Sequence, residues 1–408
     1  LGPGTDQVCV SCIQQVSHRH RITNDVVRKE QKKMPDTENP EVPVRYPGNS
    51  DEAHPELFNI SARPPCPQKK PGQLSEEQIK QYFEEGYVLV EQFFTPEELD
   101  PCREAIKDLV EGLAQKLYAA GKIKSLHEDK GLFQRLTEIE KEFPGANIVL
   151  HKQGVMPQPI RELWSNERLL NVVEQLIGPD IAGHPVWNLR TKTPKNEATT
   201  VPWHQDSAYL SNESYAVHQA TAWIPMLDTN EHNGCMQMVK RGHKTGKVAT
   251  HQCCYGNTWY VMLEPEEMEK TLDVKVAEDV ITCPVPYGGV LLFNNMIPHR
   301  SLNNLSKDIR WSLDLRWQTP DKPFGFYGIK DGVLMRSSKD PNHKIDWEPF
   351  MGVDRSKLQA EAVGHKEEEI DTTIHGPWMK KWEIVHMNLH TETLTDANES
   401  SWHRTINP

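Results

Sequence analysis

The sequence predicts a mainly β fold, an antiparallel barrel or double-sheet jelly roll, with helices packed on one sheet. From about residue 182 onward, short alternating segments follow one another with only Gly, Pro and Asn punctuation between them, a pattern of antiparallel strands rather than parallel βαβ units. Helical signals lie mainly before that point. At 408 residues the chain is long enough to bury a sizeable core.

Taken in order, residues 1–72 read as a disordered or extended N-terminal segment. Prolines at 35, 40, 43, 47, 55, 64, 65, 67 and 71 recur among charged and small residues, and such a stretch buries too little to offset its ordering entropy. It is read either as a processing segment or as an arm wrapping the domain. Cys9 and Cys12 form a CxxC without a second pair at zinc-site spacing, and the eight cysteines show no repeated framework, so free thiols are expected.

A single domain is expected from 73 to 408. Ser75 with Gln78 makes a capping box for a first helix that Gly86 ends, and "YVLVEQFF" then reads as a strand. Thr95, Pro96 and Glu98 start a second helix. Its Leu99, Ile106, Leu109, Val110, Leu113 and Leu117 fall on one stripe, which faces a larger body. A further helix is expected from about Asn166 to Ile177, closed by Gly178 and Pro179. The jelly-roll core, about 182–320, is read from "GHPVWNLRTK", "VPWHQDSAYL", "QATAWIPML", "CMQMVK", "DVITCPV", "GGVLLFNN" and "RWSLDLRW". Residues 321–408 carry scattered apolar residues, including Trp347, Trp378, Trp382 and Trp402, and read as a segment lying across the domain surface or forming a lid.

The net charge of −12 argues against nucleic acid or an anionic membrane as partner. No apolar run approaches the ~20 residues of a spanning helix, so the expectation is a soluble, cytoplasmic protein with a small-molecule substrate and unknown oligomeric state.

A jelly roll encloses a cavity, so inward polar residues on its strands are site candidates. If 201–210 is a strand, His204 and Asp206 share a face and Gln205 points opposite. His299 lies just beyond the "VLLF" strand. Two histidines and one carboxylate make the face of a non-haem iron(II) centre with open positions. Eleven residues later, Arg310, Ser312, Asp314 and Arg316 share one face of a strand, and an arginine there can grip a dicarboxylate bidentately. With eighteen histidines in the chain, an HxD alone carries little. A jelly-roll ligand-binding protein, or a cupin-type metal-dependent isomerase or hydrolase, would show it too.

These residues sit within longer motifs: "WHQD" at 203–206, "TAWIPMLDTNEHNGCMQMVKRGHKTG" at 221–246, "GGVLLFNNMIPHRSLNN" at 288–304 and the arginine of "DIRWSLDLRW". In order and spacing they resemble the phytanoyl-CoA dioxygenase-like branch of the iron(II)/2-oxoglutarate oxygenases, as does the leading helix and strand at 79–90. The likeness spans roughly 75–320. It implies a double-stranded β-helix of cupin type and a dioxygenase that hydroxylates a small organic or acyl substrate while 2-oxoglutarate is decarboxylated to succinate. It implies iron(II) as cofactor, O2 as second co-substrate and ascorbate as reductant. His204, Asp206 and His299 match the iron ligands, Arg310 and Ser301 the partners of the distal 2-oxoglutarate carboxylate, and Trp223 the aromatic wall of that pocket. Lys152, or its neighbour His151, matches a further co-substrate contact. Asn188, Arg190, Gln205 and Arg316 are candidates for the substrate pocket, and Lys192 is not expected to contribute. Asp206 stands where halogenating relatives carry a small residue, so hydroxylation is implied. The chain ends "RTINP" without a Ser-Lys-Leu signal, which does not support a peroxisomal address.

Overall fold

The computed structural model describes residues 45–394 apart from Pro67, Gln153 and Val155. Cys9, Cys12, Trp402 and the first 44 residues of the N-terminal segment lie outside the described residues. Helix α1 (Glu76–Glu85) opens on the Ser75–Gln78 capping box and stops at Gly86, whose φ of 92° favours a residue without Cβ. Strand β1 (Tyr87–Val90) follows directly. Helix α2 (Pro96–Ala119) buries Leu99, Ile106, Val110, Leu113 and Leu117, with Leu109 at the edge of the stripe. Three short helices that the sequence pattern did not reveal come next, α3 (Arg135–Glu142), α4 (Ala146–His151) and α5 (Gln158–Trp164). None exceeds eight residues, too few turns for an apolar period to register. Helix α6 (Glu167–Ile177) is capped by the Asn166 side chain, which accepts the N–H groups of Arg168 and Leu169.

Strands β2 (Ile181–Gly183), β3 (Asn188–Lys192), β4 (Ala220–Pro225) and β5 (Met236–Val239) lead to a two-stranded excursion, β6 (Gln252–Cys253) and β7 (Val261–Met262), and to helices α7 (Pro265–Leu272) and α8 (Val276–Asp279). Then come β8 (Val280–Cys283), β9 (Val290–Asn294), β10 (His299–Ser301) and β11 (Arg310–Gln318). The C-terminal part supplies β12 (Val333–Arg336), α9 (Glu348–Met351), α10 (Arg355–Glu361) and β13 (Glu383–Ile384).

The larger sheet runs β1-β9-β4-β11-β2-β12, with β3 also paired to β11. The smaller runs β10-β5-β8, and an isolated bridge between His204 and His299 extends it. Alternation along the larger sheet divides its residues as β geometry requires. Ala220, Ala222, Ile224, Trp311, Leu313, Leu315 and Trp317 pack with the α1–α6 layer. From the opposite face, Trp223, Leu291 and Phe293 meet Met236, Met238 and Cys283 of the smaller sheet. Each large apolar side chain here contributes roughly 1.5–3 kcal/mol of burial, and beside this core the alternate residues Arg310, Ser312, Asp314 and Arg316 of β11 line the polar cavities.

One expected strand is corrected. Residues 201–210 pair only at His204, after which Asp206–Tyr209 coils into a 3-10 turn. His204 and Asp206 converge because the chain turns there, not because a strand continues.

Over its described part, the stretch expected to be disordered or extended lies along the domain in short turns. The Gly48 N–H donates to Lys381 O at 3.0 Å, and the Tyr215 hydroxyl donates to Gly48 O at 3.0 Å. Phe58 is buried edge-on to His218 and His243. These partners are remote in sequence, which is why local composition does not announce them. Cys253 and Cys254 are joined by a disulfide, whereas Cys66, Cys102, Cys235 and Cys283 are free; no spacing argument points to a bond between adjacent cysteines. No helix among the described residues is long and apolar enough to cross a membrane.

Candidate active site

His204 is held by its bridge to β10, Asp206 opens the 3-10 turn two residues on, and His299 begins β10. The three side chains are buried, and their ligating atoms lie within 4.8 Å of one another. Asp206 Oδ1 is 3.6 Å from His204 Nε2 and 3.7 Å from His299 Nε2. Each imidazole has its other nitrogen fixed: His204 Nδ1–H donates to Pro202 O at 2.9 Å and His299 Nδ1–H to Ile297 O at 3.0 Å. Both Nε2 lone pairs are thereby turned toward the carboxylate. Burial, with His204 alongside, pushes the His299 pKa down to about 3, so its ring is neutral. Burial works against the charge on Asp206, but Arg316 and the two histidines hold its carboxyl well below the usual range. Two imidazoles with their Nε2 atoms facing one ionised carboxylate, buried and convergent, fit a divalent transition metal of the iron type.

Asp206 is clamped from behind. Arg316 on β11 donates from Nε to Oδ2 at 3.0 Å and from Nη2 to Oδ1 at 3.1 Å, and Nη1 donates to Val186 O at 3.2 Å. The Thr221 hydroxyl donates to Oδ2 at 3.4 Å. Arg316, expected to pair with Asp314 or to anchor a charged substrate, orients this carboxylate.

On the histidine side, a cavity is lined by Arg310, Ser301, Trp223, Lys192, His204 and His299. Arg310 is 2 % exposed. Its Nη1 donates to Ser312 Oγ at 2.7 Å and Nη2 to Gly234 O at 3.1 Å, while its Nε has no partner. A buried N–H left open is costly, and among the described residues no carboxylate lies within 4 Å of this guanidinium to offset it. The Arg310 guanidinium lies 5.2 Å from the centre of the Trp223 ring. Ser301 accepts the Val201 N–H at 3.2 Å. Lys192, not expected to contribute, sits opposite Arg310 in the β3–β11 register, with Nζ donating to Thr200 Oγ1 at 3.1 Å. Burial, then the charges of Arg310 and Arg190, lower its pKa well below the usual lysine value. A lysine inside a strand carries no mark of where it points until the register is known.

Two expected residues fall elsewhere. Lys152 is drawn away by Glu367 at 2.6 Å and Asp371 at 3.1 Å and donates to Thr373 O at 2.8 Å, fastening the C-terminal segment to the end of α4. Its neighbour His151 is the one that reaches the Arg310 cavity. Gln205 faces away from the triad. Its Nε2 donates to Lys247 O at 2.9 Å and Met296 O at 2.7 Å, and its Oε1 accepts the Ala249 N–H at 2.8 Å.

A second cavity opens on the Asp206 side. Asn188, Arg190 and Arg316 line it together with Tyr209, Trp259, Tyr260, Phe326 and Trp378. Arg190 donates to Asp314 Oδ2 at 2.8 Å, and Arg316 Nη2 stands 3.7 Å from the same oxygen. His151, Arg190, Trp259 and Tyr260 line both cavities, which therefore adjoin beside the triad. The aromatic wall comes from turns and the β6–β7 excursion, where no periodicity singles out a functional side chain.

A family model described as phytanoyl-CoA dioxygenase matches residues 82–312, more than half of the chain. The chain is 27 % identical over 264 residues to 1-deoxypentalenic acid 11-beta-hydroxylase of Streptomyces arenae, covering 61 % of this chain and 82 % of that protein. It is 26 % identical over 208 residues to a probable alpha-ketoglutarate-dependent hypophosphite dioxygenase of Stutzerimonas stutzeri, covering 47 % and 65 %. Among solved structures it is similar to the apo form of the non-heme monooxygenase ThoJ, with a TM-score of 0.45 and 18 % identity over 64 % of this chain and 83 % of that one.

Proposed function

Because the chain belongs to the phytanoyl-CoA dioxygenase family, we propose that it is an iron(II)/2-oxoglutarate-dependent dioxygenase that hydroxylates a small organic substrate. The observation that carries this reading is the buried His204, Asp206 and His299 cluster with an arginine beside it whose Nε is left open. Bound by these three side chains, iron(II) supplies the oxygen chemistry in which substrate C–H, O2 and 2-oxoglutarate become C–OH, succinate and carbon dioxide. The chain's own part is to bind and orient. Arg310, assisted by Lys192 and Ser301, holds the distal carboxylate of 2-oxoglutarate in the cavity beside the histidines, with Trp223 as its wall. Arg316 and Thr221 keep Asp206 ionised and pointed at the histidines. Substrate enters from the Asp206 side, between Tyr209, Trp259, Tyr260 and Trp378, which exclude water from the reacting carbon. A cupin-type hydrolase would have no dicarboxylate to place against Arg310.

Succinate formation by purified protein with iron(II), ascorbate and air tests the reading. Wild type should consume 2-oxoglutarate slowly even without substrate, His204→Ala should not, and Arg310→Ala should do so only at high 2-oxoglutarate. A His204→Ala variant as active as wild type would overturn it.

A further inference from the structure

The cavity on the Asp206 side is lined by three arginines, Arg316 and Arg355 buried and Arg190 half-buried, and only two of them face a carboxylate. Arg316 is paired with Asp206 and Arg190 with Asp314. Arg355, the first residue of α10, is 8 % exposed and lines the same cavity. Among the described residues no carboxylate lies within 4 Å of its guanidinium. Among the described residues its guanidinium donates from Nη1 to Pro185 O at 3.3 Å and lies 5.2 Å from the centre of the Trp187 ring, while Asp354 and Asp314 act on it only from beyond ion-pair distance. The neighbouring Asp354 turns its side chain to the N–H groups of Ser356 and Lys357, capping α10.

A buried cation without a counter-ion is costly, and proteins leave one so only where something else supplies the charge. Burial, with Arg316 and Arg190 nearby, pulls the Arg355 pKa down to about 9, so at neutral pH the group remains charged. Ser356 and Gln359, on the same helix, also line the cavity and add a hydroxyl and an amide. Tyr209, Trp259, Phe326 and Trp378 give the wall its apolar area, beside the polar His151, Lys152, His184, Asn188, Gln219 and His375; of these Lys152 is already paired with Glu367 and Asp371.

We propose that this cavity takes an apolar substrate bearing a free carboxylate, and that Arg355 binds that carboxylate through the open edge of its guanidinium. The inference rests on the oxygenase reading for the reaction that follows, but not for the binding itself. It favours a free acid over a thioester or amide, since neither of those brings the negative charge that Arg355 lacks. It also gives α10 a role in recognition. The helix belongs to the segment that follows the jelly roll, so the substrate is selected from outside the sheets while iron and co-substrate are held within them.

The test is calorimetric titration, under nitrogen, of protein saturated with iron(II) and 2-oxoglutarate, so that the Arg310 site is already filled. Octanoate and cyclohexanecarboxylate are each compared with their primary amides. Wild type should bind the acids about tenfold or more tightly than the amides, the scale of one charge-assisted hydrogen-bonded contact. Arg355→Gln should bind acid and amide alike, and Arg355→Lys should retain part of the preference; circular dichroism establishes that both variants fold. Equal affinity of wild type for acid and amide, no binding of either acid, or a preference that survives in folded Arg355→Gln would each overturn the proposal. The visible absorption of the iron(II)–2-oxoglutarate complex is recorded on the same sample. Should it fail to form, the oxygenase reading fails, and the acid-over-amide preference measured on metal-free protein still decides this one.

Discussion

At Asp206 one carboxylate has to serve a metal on one side and an arginine fork on the other. The planar Arg316 guanidinium meets both oxygens at 3.0 and 3.1 Å, a geometry lysine cannot reproduce. Outer partners of this kind typically govern about 10–100-fold in metal affinity. Arg316→Leu should therefore weaken iron(II) binding by that order, and Arg316→Lys by less, as read in an anaerobic iron titration. Arg310 stands differently, since two of its donors are already satisfied within the protein and its Nε is not. Truncating one partner of a buried charged pair costs about 2–5 kcal/mol. Arg310→Ala should raise the dissociation constant of 2-oxoglutarate by about thirtyfold or more while leaving iron affinity nearly unchanged. The candidate ligands were legible because HxD and H-x-S come with fixed spacing to an arginine. The double duty of Arg316 was not, because nothing in "RWSLDLRW" distinguishes an arginine that lines a cavity from one that clamps a ligand.

Strand β11 separates stability from function by its two faces. Trp311, Leu313, Leu315 and Trp317 face the helices, whereas Arg310, Ser312, Asp314 and Arg316 face the site. Leu313→Ala should cost about 2–5 kcal/mol of stability in denaturant unfolding, with iron and 2-oxoglutarate affinities of the folded protein unaltered. The turn before β5 should behave in the opposite way. Gly234 has a φ of 87°, its carbonyl accepts from Arg310, and an added Cβ would come within 2.6 Å of Leu302 O and 2.7 Å of Lys192 Cδ. Gly234→Ala should push on Arg310 and Lys192 in the co-substrate cavity and raise the KM for 2-oxoglutarate. Strands β4, β5, β9 and β11 were readable because each alternates against two different environments. The 201–210 segment was misread because its alternation is accidental: Gln205 is buried by three hydrogen bonds of its own, and a 3-10 turn replaces the strand. Two-residue pairings such as β6 with β13 are below any sequence period.

Across the whole molecule, order depends on contacts that no local window contains. Gly48 meets Lys381, Phe58 meets His218 and His243, and Lys152 meets Glu367 and Asp371. The segments on either side of the jelly roll are therefore part of the folded body as far as it is described, and composition alone could not reveal it. The same burial sets the pH response. His151, His184, His218 and His251 are each pushed down by burial to about 3 from an ordinary 6.5. His251 illustrates the reason, since its Nε2 accepts the Gln205 N–H and cannot also carry a proton. Between about pH 3 and 6.5 the folded protein binds fewer protons than the unfolded chain, so stability is present above 6.5 and is lost as pH falls. With four such groups the slope approaches about 5 kcal/mol per pH unit. The Tm should drop steeply below about pH 6, and a Tm that stays flat to about pH 4.5 would contradict this picture of neutral, buried histidines.

The central claim is that His204, Asp206 and His299 hold iron(II) next to a cavity in which Arg310 holds 2-oxoglutarate. Visible absorption of the protein under strict anaerobiosis, with iron(II) added first and 2-oxoglutarate second, tests it most directly. The account predicts a metal-to-ligand charge-transfer band that saturates at one equivalent of iron, is absent in His204→Ala, and in Arg310→Ala needs far more 2-oxoglutarate to appear. No band in wild type, or one indifferent to His204→Ala, would contradict it.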